Sequence, residues 1–299
     1  MTVDEYYKYF AKQLKTIYED REATNIADWV FESIANCKRL DRVAHKQQAI
    51  SNAMIEHLNN ALQQLLQHRP VQYVLGEAWF YKMKFFVNEN VLIPRPETEE
   101  LVEWVVEKVR GAMYDIQNKN DYSIGNLTSH IAHVLDIGTG SGCIAIAVKK
   151  ELPHAEIFAV DVSEEALHVA RQNAKGTNVH IKFIQLDFLN ENYWAALPSF
   201  NIIVSNPPYI PENEKNQLAK NVVSHEPHLA LFVPDEDPFI FYKKMAMFAG
   251  SHLKENGKIF AEVHEDYAKK VQQIFAEKDF KTKIKKDIYE RERMICAYR

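Results

Sequence analysis

Residues 134–148 read VLDIGTGSGCIAIAV: an apolar run, three glycines in five positions (Gly138, Gly140, Gly142), then a second apolar run. Residues 134–137 read as a buried strand, 138–142 as a tight turn and 143–148 as the start of a helix. Glycine is scarce in this chain, 9 residues of 299, about 3% against roughly 7% on average. Concentrating a third of them here implies close backbone approach to a ligand. The dinucleotide fingerprint G-x-G-x-x-G fails, because Cys143 holds its last glycine position. The phosphate-loop pattern fails too, since no lysine follows. An ordinary Rossmann dehydrogenase and an NTPase are thereby disfavoured.

Working outward, short apolar strands alternate with amphipathic helices from His133 onward. HVLDIG precedes a helix over 142–151, EIFAVD one over 163–175, and IKFIQLD and NIIVSNPPY follow. A helix near 237–250, a strand KIFAEV, a helix over 265–278 and two closing strands, KTKIKKD and RMICAYR, complete the series. This alternation predicts an α/β fold with a mostly parallel sheet, helices on both faces and an antiparallel end. Asp161, Asp187 and Asn206 close the second, third and fourth strands, at the carboxyl ends where open α/β sheets bind ligands. Carboxylates placed like Asp161 accept hydrogen bonds from ribose hydroxyls. Asp161 and Asp187 could equally cap the helices that follow.

Asn206-Pro207-Pro208-Tyr209 carries the sharpest chemical signal. Consecutive prolines fix the backbone and leave carbonyls without neighbouring amide donors. With the Asn206 side-chain carbonyl they form a rigid acceptor pair for both hydrogens of an NH2 group. Tyr209 adds an aromatic face for a planar amide or base.

Upstream, residues 1–68 read as a helical bundle. Tyr6, Phe10, Leu14 and Ile17 form one stripe; Thr24 is placed to cap a second helix with Ile26, Trp29, Val30 and Ile34; a third helix runs from about 46 to 67 and carries Ile50, Met54, Leu58, Leu62 and Leu65. Residues 69–95 read as a linker, with a β-hairpin over 72–93 turning at Asn88-Glu89-Asn90. Residues 96–299 read as the α/β domain, opening on a helix from 97 to about 113 and a polar loop over 114–130. The net charge of −5 argues against a dedicated nucleic-acid binder. Three scattered cysteines exclude a disulfide framework or zinc ribbon and fit a reducing cytosol. A cytoplasmic chain is expected, since no signal peptide or membrane span is legible. His225-Glu226-Pro227-His228 is a poor metal site because Pro227 interrupts helical spacing, and no metal is expected. Lys281, Lys283, Lys285 and Lys286 read as a solvated strand face, and Cys143 as a packing residue.

The glycine loop, Asp161 and Asn206-Pro207-Pro208-Tyr209 together resemble class I S-adenosylmethionine-dependent methyltransferases acting on exocyclic or amide nitrogen. That set alone leaves DNA adenine, ribosomal RNA guanine and protein glutamine enzymes open. Pro70-Val71-Gln72-Tyr73-Val74-Leu75-Gly76-Glu77 and Val91-Leu92-Ile93-Pro94-Arg95-Pro96-Glu97-Thr98-Glu99 are similar to the signature of the HemK/PrmC family of release factor glutamine N5-methyltransferases. Glu226-Pro227-His228-Leu229-Ala230-Leu231 and Arg291-Glu292-Arg293 extend the likeness, which covers about residues 65–299.

The resemblance implies a Rossmann-like catalytic domain with a small N-terminal helical domain and a linking hairpin. It implies methyl transfer to the glutamine of the Gly-Gly-Gln motif of class 1 peptide release factors, with S-adenosyl-L-homocysteine as product. Gly138, Thr139, Gly140, Ser141 and Gly142 would line the cofactor, Asp161 hold its ribose, and Asp187 and Phe188 flank the adenine. Asn206, Pro207, Pro208 and Tyr209 would hold the glutamine, while the segment with Arg95 and Glu97 closes over the site. The helical domain is the docking candidate. The partner is then a protein, with neither membrane nor nucleic acid as the target, and a monomer is expected. Family members often carry Glu-x-Gly where this chain has Glu262-Val263-His264. The rival readings are a nucleic-acid amino-methyltransferase and an inactive cofactor-binding module.

Overall fold

The computed structural model describes residues 1–44, 46–118 and 132–299. It divides into two units: Met1–Glu77 with Leu218–His225, and Ala78–Gln217 with Glu226–Arg299.

The first unit is helical. Helix α1 (Val3–Leu14) starts on a capping box, in which Thr2 Oγ1 accepts from the Glu5 N–H while the Glu5 carboxylate accepts from the Thr2 N–H. Helices α2 (Asp20–Ala35), α3 (Arg39–Ala44), α4 (Asn52–Leu66) and α5 (Val71–Leu75) follow. Phe10, Leu14, Val30, Phe31, Leu58 and Leu65 are fully buried between them. Two expectations are corrected. Thr24 lies inside α2, where its hydroxyl donates to the Asp20 carbonyl, one turn back. The third long helix begins only at Asn52, capped by Ser51 Oγ on the Met54 N–H, so Ile50 joins the core from outside the helix.

In the second unit, β1 (Glu77–Phe80) and β2 (Met83–Phe86) form the hairpin. The turn sits at Tyr81 and Lys82, with φ of 50° and 62°, rather than at Asn88. Positive φ at both central residues suits a two-residue hairpin turn, although neither residue advertises it. Residues 71–75, expected in the hairpin, are helical. Asn88 instead makes a local turn beyond it, its side chain accepting from the Asn90 N–H. Helix α6 (Pro96–Asn118) runs past the expected end near 113. Residues 114–118 of the polar loop expected over 114–130 are helical, in α6, and its remainder, 119–130, lies outside the described residues.

The rest alternates: β3 (His133–Ile137), α7 (Cys143–Glu151), β4 (Glu156–Asp161), α8 (Glu164–Gly176), β5 (Lys182–Gln185), a 3₁₀ turn (Glu191–Ala196) and β6 (Phe200–Ser205). Next come β7 (Ile210–Pro211), α9 (Lys220–His225, in the first unit), α10 (His228–Leu231), β8 (Phe232–Val233), α11 (Ile240–His252), β9 (Leu253–Glu262), α12 (Ala268–Ala276), β10 (Lys281–Lys286) and β11 (Glu292–Tyr298). Seven strands form one sheet in the order β10-β11-β9-β6-β3-β4-β5. All neighbours from β9 to β5 pair in parallel, and β11 runs antiparallel to β9 and β10.

Side chains alternate between two cores. Val134, Ile202, Val204 and Phe260 face α6 and α7, whereas Leu135, Ile137, Ile203 and Ala261 face α11 and α12. Burial on both faces explains the continuous apolar strands. Among the described residues no helix is long and apolar enough to cross a membrane.

Candidate active site

The register of the sheet builds the site. Ile137, Val160, Ser205 and Ala261 align across β3, β4, β6 and β9. The residues that follow each therefore emerge at one edge: the glycine loop, Asp161, Asn206 and Glu262. Strands β4 and β5 lie to one side of β3 and β6 to the other, so this edge contains the topological switch point where such sheets bind ligands. Ser205 Oγ donates to the Ile137 carbonyl at 2.8 Å and pins the two strand ends together.

Gly138, Gly140 and Gly142 all adopt positive φ, at 68°, 53° and 80°. They do so for different reasons. A Cβ on Gly138 or Gly140 would meet nothing within 4 Å, so both keep a cradle open. On Gly142 it would sit 3.1 Å from the Ala170 Cβ and 3.3 Å from Ile146 Cδ1, because α8 packs against the loop. Gly142→Ala is accordingly expected to destabilise the fold by about 2 kcal/mol, from left-handed strain plus crowding. Gly138→Ala should cost about 1 kcal/mol from strain alone, and show mainly as weaker ligand binding. Denaturant titration beside calorimetric binding separates the two; equal stability losses would contradict this division.

Carboxylates hold the loop. Asp161 Oδ2 accepts the Gly140 N–H at 2.8 Å and its Oδ1 the Ser163 N–H at 3.0 Å. Asp136 is fully buried, with Oδ2 accepting from Thr139 Oγ1 at 2.7 Å and the Ala145 N–H at 3.2 Å, while Oδ1 has no partner among the described residues. Burial raises the Asp161 pKa and pushes Asp136 up to about 7, against the hydrogen bonds that favour its ionised form. The folded chain keeps the Asp136 proton between about pH 4 and 7, where the unfolded chain releases it, so this contribution to stability is lost as pH rises through that window. The thermal midpoint of the wild type, measured against the non-titrating Asp136→Asn, is expected to fall across those pH values and level off above them. A difference independent of pH would refute the assignment. Burial also holds the Cys143 thiol up at about 12, which leaves it inert as a nucleophile.

Asn173 was not legible as a site residue. Its Nδ2 donates to the carbonyls of Ser141 and Phe86, both at 2.9 Å, and its Oδ1 accepts the Phe86 N–H at 2.7 Å. One buried amide thus ties the hairpin to the glycine loop. Asp187 is exposed beyond β5 and accepts the Leu189 N–H at 2.9 Å. The Phe188 ring is buried in the core against Trp194 and Phe248.

The Asn206 motif leads out of β6, with Pro207 buried and Asn206, Pro208 and Tyr209 half-buried. Asn206 Nδ2 donates to Thr98 Oγ1 at 3.1 Å, and Thr98 Oγ1 donates to Glu262 Oε2 at 2.7 Å. The Tyr209 hydroxyl donates to the other Glu262 oxygen at 3.3 Å, and the Tyr242 hydroxyl to the Glu262 main-chain carbonyl at 3.0 Å. Asn206 Oδ1 accepts from none of the described residues. Glu97 is half-buried, and its charge opposes ionisation of Glu262. Arg95, expected to face the substrate, is ion-paired to the buried Glu226 at 2.6 Å, and the other Glu226 oxygen accepts the Ile93 N–H at 3.2 Å. Among the described residues no cluster of three or more His, Cys, Asp or Glu could hold a metal ion.

A methyltransferase small domain model matches residues 122–229, and a PrmC N-terminal domain model matches residues 5–76. The release factor glutamine methyltransferase of Flavobacterium psychrophilum is 40% identical over 99% of this chain and 98% of its own length. That of Bacteroides thetaiotaomicron is 35% identical over 97% and 98%. The fold is similar to that of the hMettl16 catalytic domain, solved in complex with the MAT2A 3′UTR hairpin 6, with a TM-score of 0.52 at 13% identity over 83% of this chain and 82% of that one. Identity sustained from end to end, on a sheet edge that gathers the glycine loop and the Asn-Pro-Pro-Tyr motif, shows that the chain belongs to the release factor glutamine methyltransferase family.

Proposed function

We propose that this chain transfers a methyl group from S-adenosyl-L-methionine to the side-chain amide nitrogen of the glutamine in the Gly-Gly-Gln motif of class 1 peptide release factors, and so supports translation termination. The observation that carries the reading is the Asn206 amide. Its nitrogen is engaged by Thr98, which leaves its carbonyl oxygen as an acceptor beside the glycine loop.

The cofactor fits the donor set of the site. Gly138 and Gly140 leave room where side chains would project. Asp161 retains lone pairs for a ribose diol beside its bonds to the Gly140 and Ser163 N–H groups. Asp187 stands beyond the next strand for the base. When bound, S-adenosyl-L-methionine supplies an activated methyl group and departs as S-adenosyl-L-homocysteine.

The remaining difficulty is the nucleophile, because an amide nitrogen shares its lone pair with its carbonyl. Asn206 Oδ1 and the Pro207 carbonyl would accept the two N–H bonds of the glutamine amide and so orient its nitrogen for transfer. Both acceptors stabilise the positive charge that develops there. A nitrogen–carbon bond forms, the carbon–sulfur bond breaks, and one amide proton leaves to solvent. Alignment is worth several kcal/mol, within the roughly 7–11 kcal/mol available from proximity. The helical unit is the proposed docking module, since one glutamine offers a protein substrate little contact area.

Incubation with methyl-labelled S-adenosyl-L-methionine and a class 1 release factor tests the reading. Label is expected on the Gly-Gly-Gln glutamine, mapped by tandem mass spectrometry. Label on DNA or RNA instead, or none on the release factor, would overturn it.

A further inference from the structure

We propose that Thr98 and Glu262 are positioning residues that dictate which end of the Asn206 amide faces the substrate; the role rests on the methyl-transfer reading above. An asparagine amide has two nearly isosteric ends, one accepting and one donating. Only the accepting end can meet a substrate NH2. If the amide flipped, donors would face donors. Nothing within Asn206-Pro207-Pro208-Tyr209 itself selects the orientation. The selection comes from two other elements, the first turn of α6 and the end of β9.

The logic follows from proton counting. A threonine hydroxyl has one proton and two lone pairs. Thr98 gives its proton to Glu262 Oε2 at 2.7 Å, so towards Asn206 it can only accept. The 3.1 Å contact from Asn206 must then be made by Nδ2, and Oδ1 is turned to the open side. Thr98 and Glu262 are 2% and 3% exposed, so water cannot substitute for either partner. The Thr98 N–H donates to the Arg95 carbonyl at 3.1 Å, which fixes the hydroxyl to the start of α6.

Glu262 sets the polarity as long as it is ionised. The groups around it are the Thr98 hydroxyl and the Glu97 carboxylate from α6, the Tyr209 hydroxyl, the Arg293 guanidinium from β11, and the Tyr242 hydroxyl of α11 on its main-chain oxygen. Burial raises its pKa, opposed by the Thr98 and Tyr209 hydrogen bonds and the Arg293 charge, with Glu97 adding to the rise. Once protonated, Glu262 can donate to Thr98, which frees the Thr98 proton to turn towards Asn206 and reverses the amide.

Thr98→Val removes the hydroxyl and keeps the shape. It is expected to lower kcat by about 10–100-fold, by analogy with the partners that orient metal-binding side chains. The Kd for S-adenosyl-L-methionine, by calorimetry, should change less than about threefold. Thr98→Ser should recover at least about tenfold over Thr98→Val. Glu262→Gln, neutral at every pH like the protonated acid, should lower kcat at neutral pH and abolish the acid limb that Glu262 sets.

A readout without substrate comes from the Asn206 side-chain NH2 resonances, identified by their disappearance in Asn206→Ala. They should shift in Thr98→Val and return near wild type in Thr98→Ser. Wild-type kcat in Thr98→Val, no rescue by serine, a retained acid limb or unmoved resonances would each overturn the relay. A wild-type enzyme that labels no release factor would instead overturn the parent reading, and the resonances would still judge the relay. Should Thr98→Val fail to fold, the Glu262→Gln pH profile decides.

Discussion

Asn206→Ala is expected to lower the methyl-transfer rate by about 10²–10³-fold, the loss found when one preorganised hydrogen-bonding group is removed from a developing charge. The substitution deletes the acceptor that meets one substrate N–H and leaves the Thr98 hydroxyl with an empty lone pair. The glycine loop, Asp136 and Asp161 are held by their own hydrogen bonds, none of which involves Asn206. Affinity for S-adenosyl-L-methionine should therefore change little. Single-turnover rates with saturating cofactor, beside calorimetric binding, measure both quantities. Turnover close to wild type would remove Asn206 from the chemistry, and a parallel collapse of cofactor binding would make it structural.

Glu226→Ala should destabilise the second unit by about 3 kcal/mol. That is the lower end of the range for breaking a buried ion pair, because the Arg95 side chain keeps 32% exposure while Glu226 keeps 1%. Two groups lose their acceptor: the Arg95 guanidinium and the Ile93 N–H. The buried donor alone costs about 1–3 kcal/mol when left unmade. Glu226→Gln keeps an acceptor in place and should cost about half as much. Denaturant unfolding distinguishes the pair, and a loss under about 0.5 kcal/mol in the alanine variant would contradict the assignment. Activity should fall as well, since the Arg95 carbonyl anchors Thr98.

These two expectations differ in how far they were legible beforehand. Asn206 announces itself, because the two prolines that follow it restrict the local backbone to an acceptor-rich turn. Glu226 does not: its partners lie 131 and 133 positions away, and no local rule connects them. The same holds for Thr98 and Glu262, separated by 164 positions, and for Asn173, 87 positions from Phe86. The hairpin turn was hidden for another reason. Tyr81 and Lys82 adopt a left-handed backbone that sequence rules reserve for glycine, asparagine and aspartate. The Asn88 segment, which looked like the turn, makes a local bend instead.

What the sequence by itself determined is the alternation of strands and helices, the glycine loop, Asp161 and the Asn-Pro-Pro-Tyr turn. Each is written in neighbouring residues, whose backbone preferences and apolar spacing act over a few positions. Only the tertiary structure decided the charge and polarity of the site. The parallel register placed Glu262 beside Asn206, α6 inserted Thr98 between them, and burial of Thr98 and Glu262 excluded the water that would otherwise have satisfied those two. The direction of a hydrogen bond depends on how many protons the enclosed groups share, and that number is fixed only once the elements have packed.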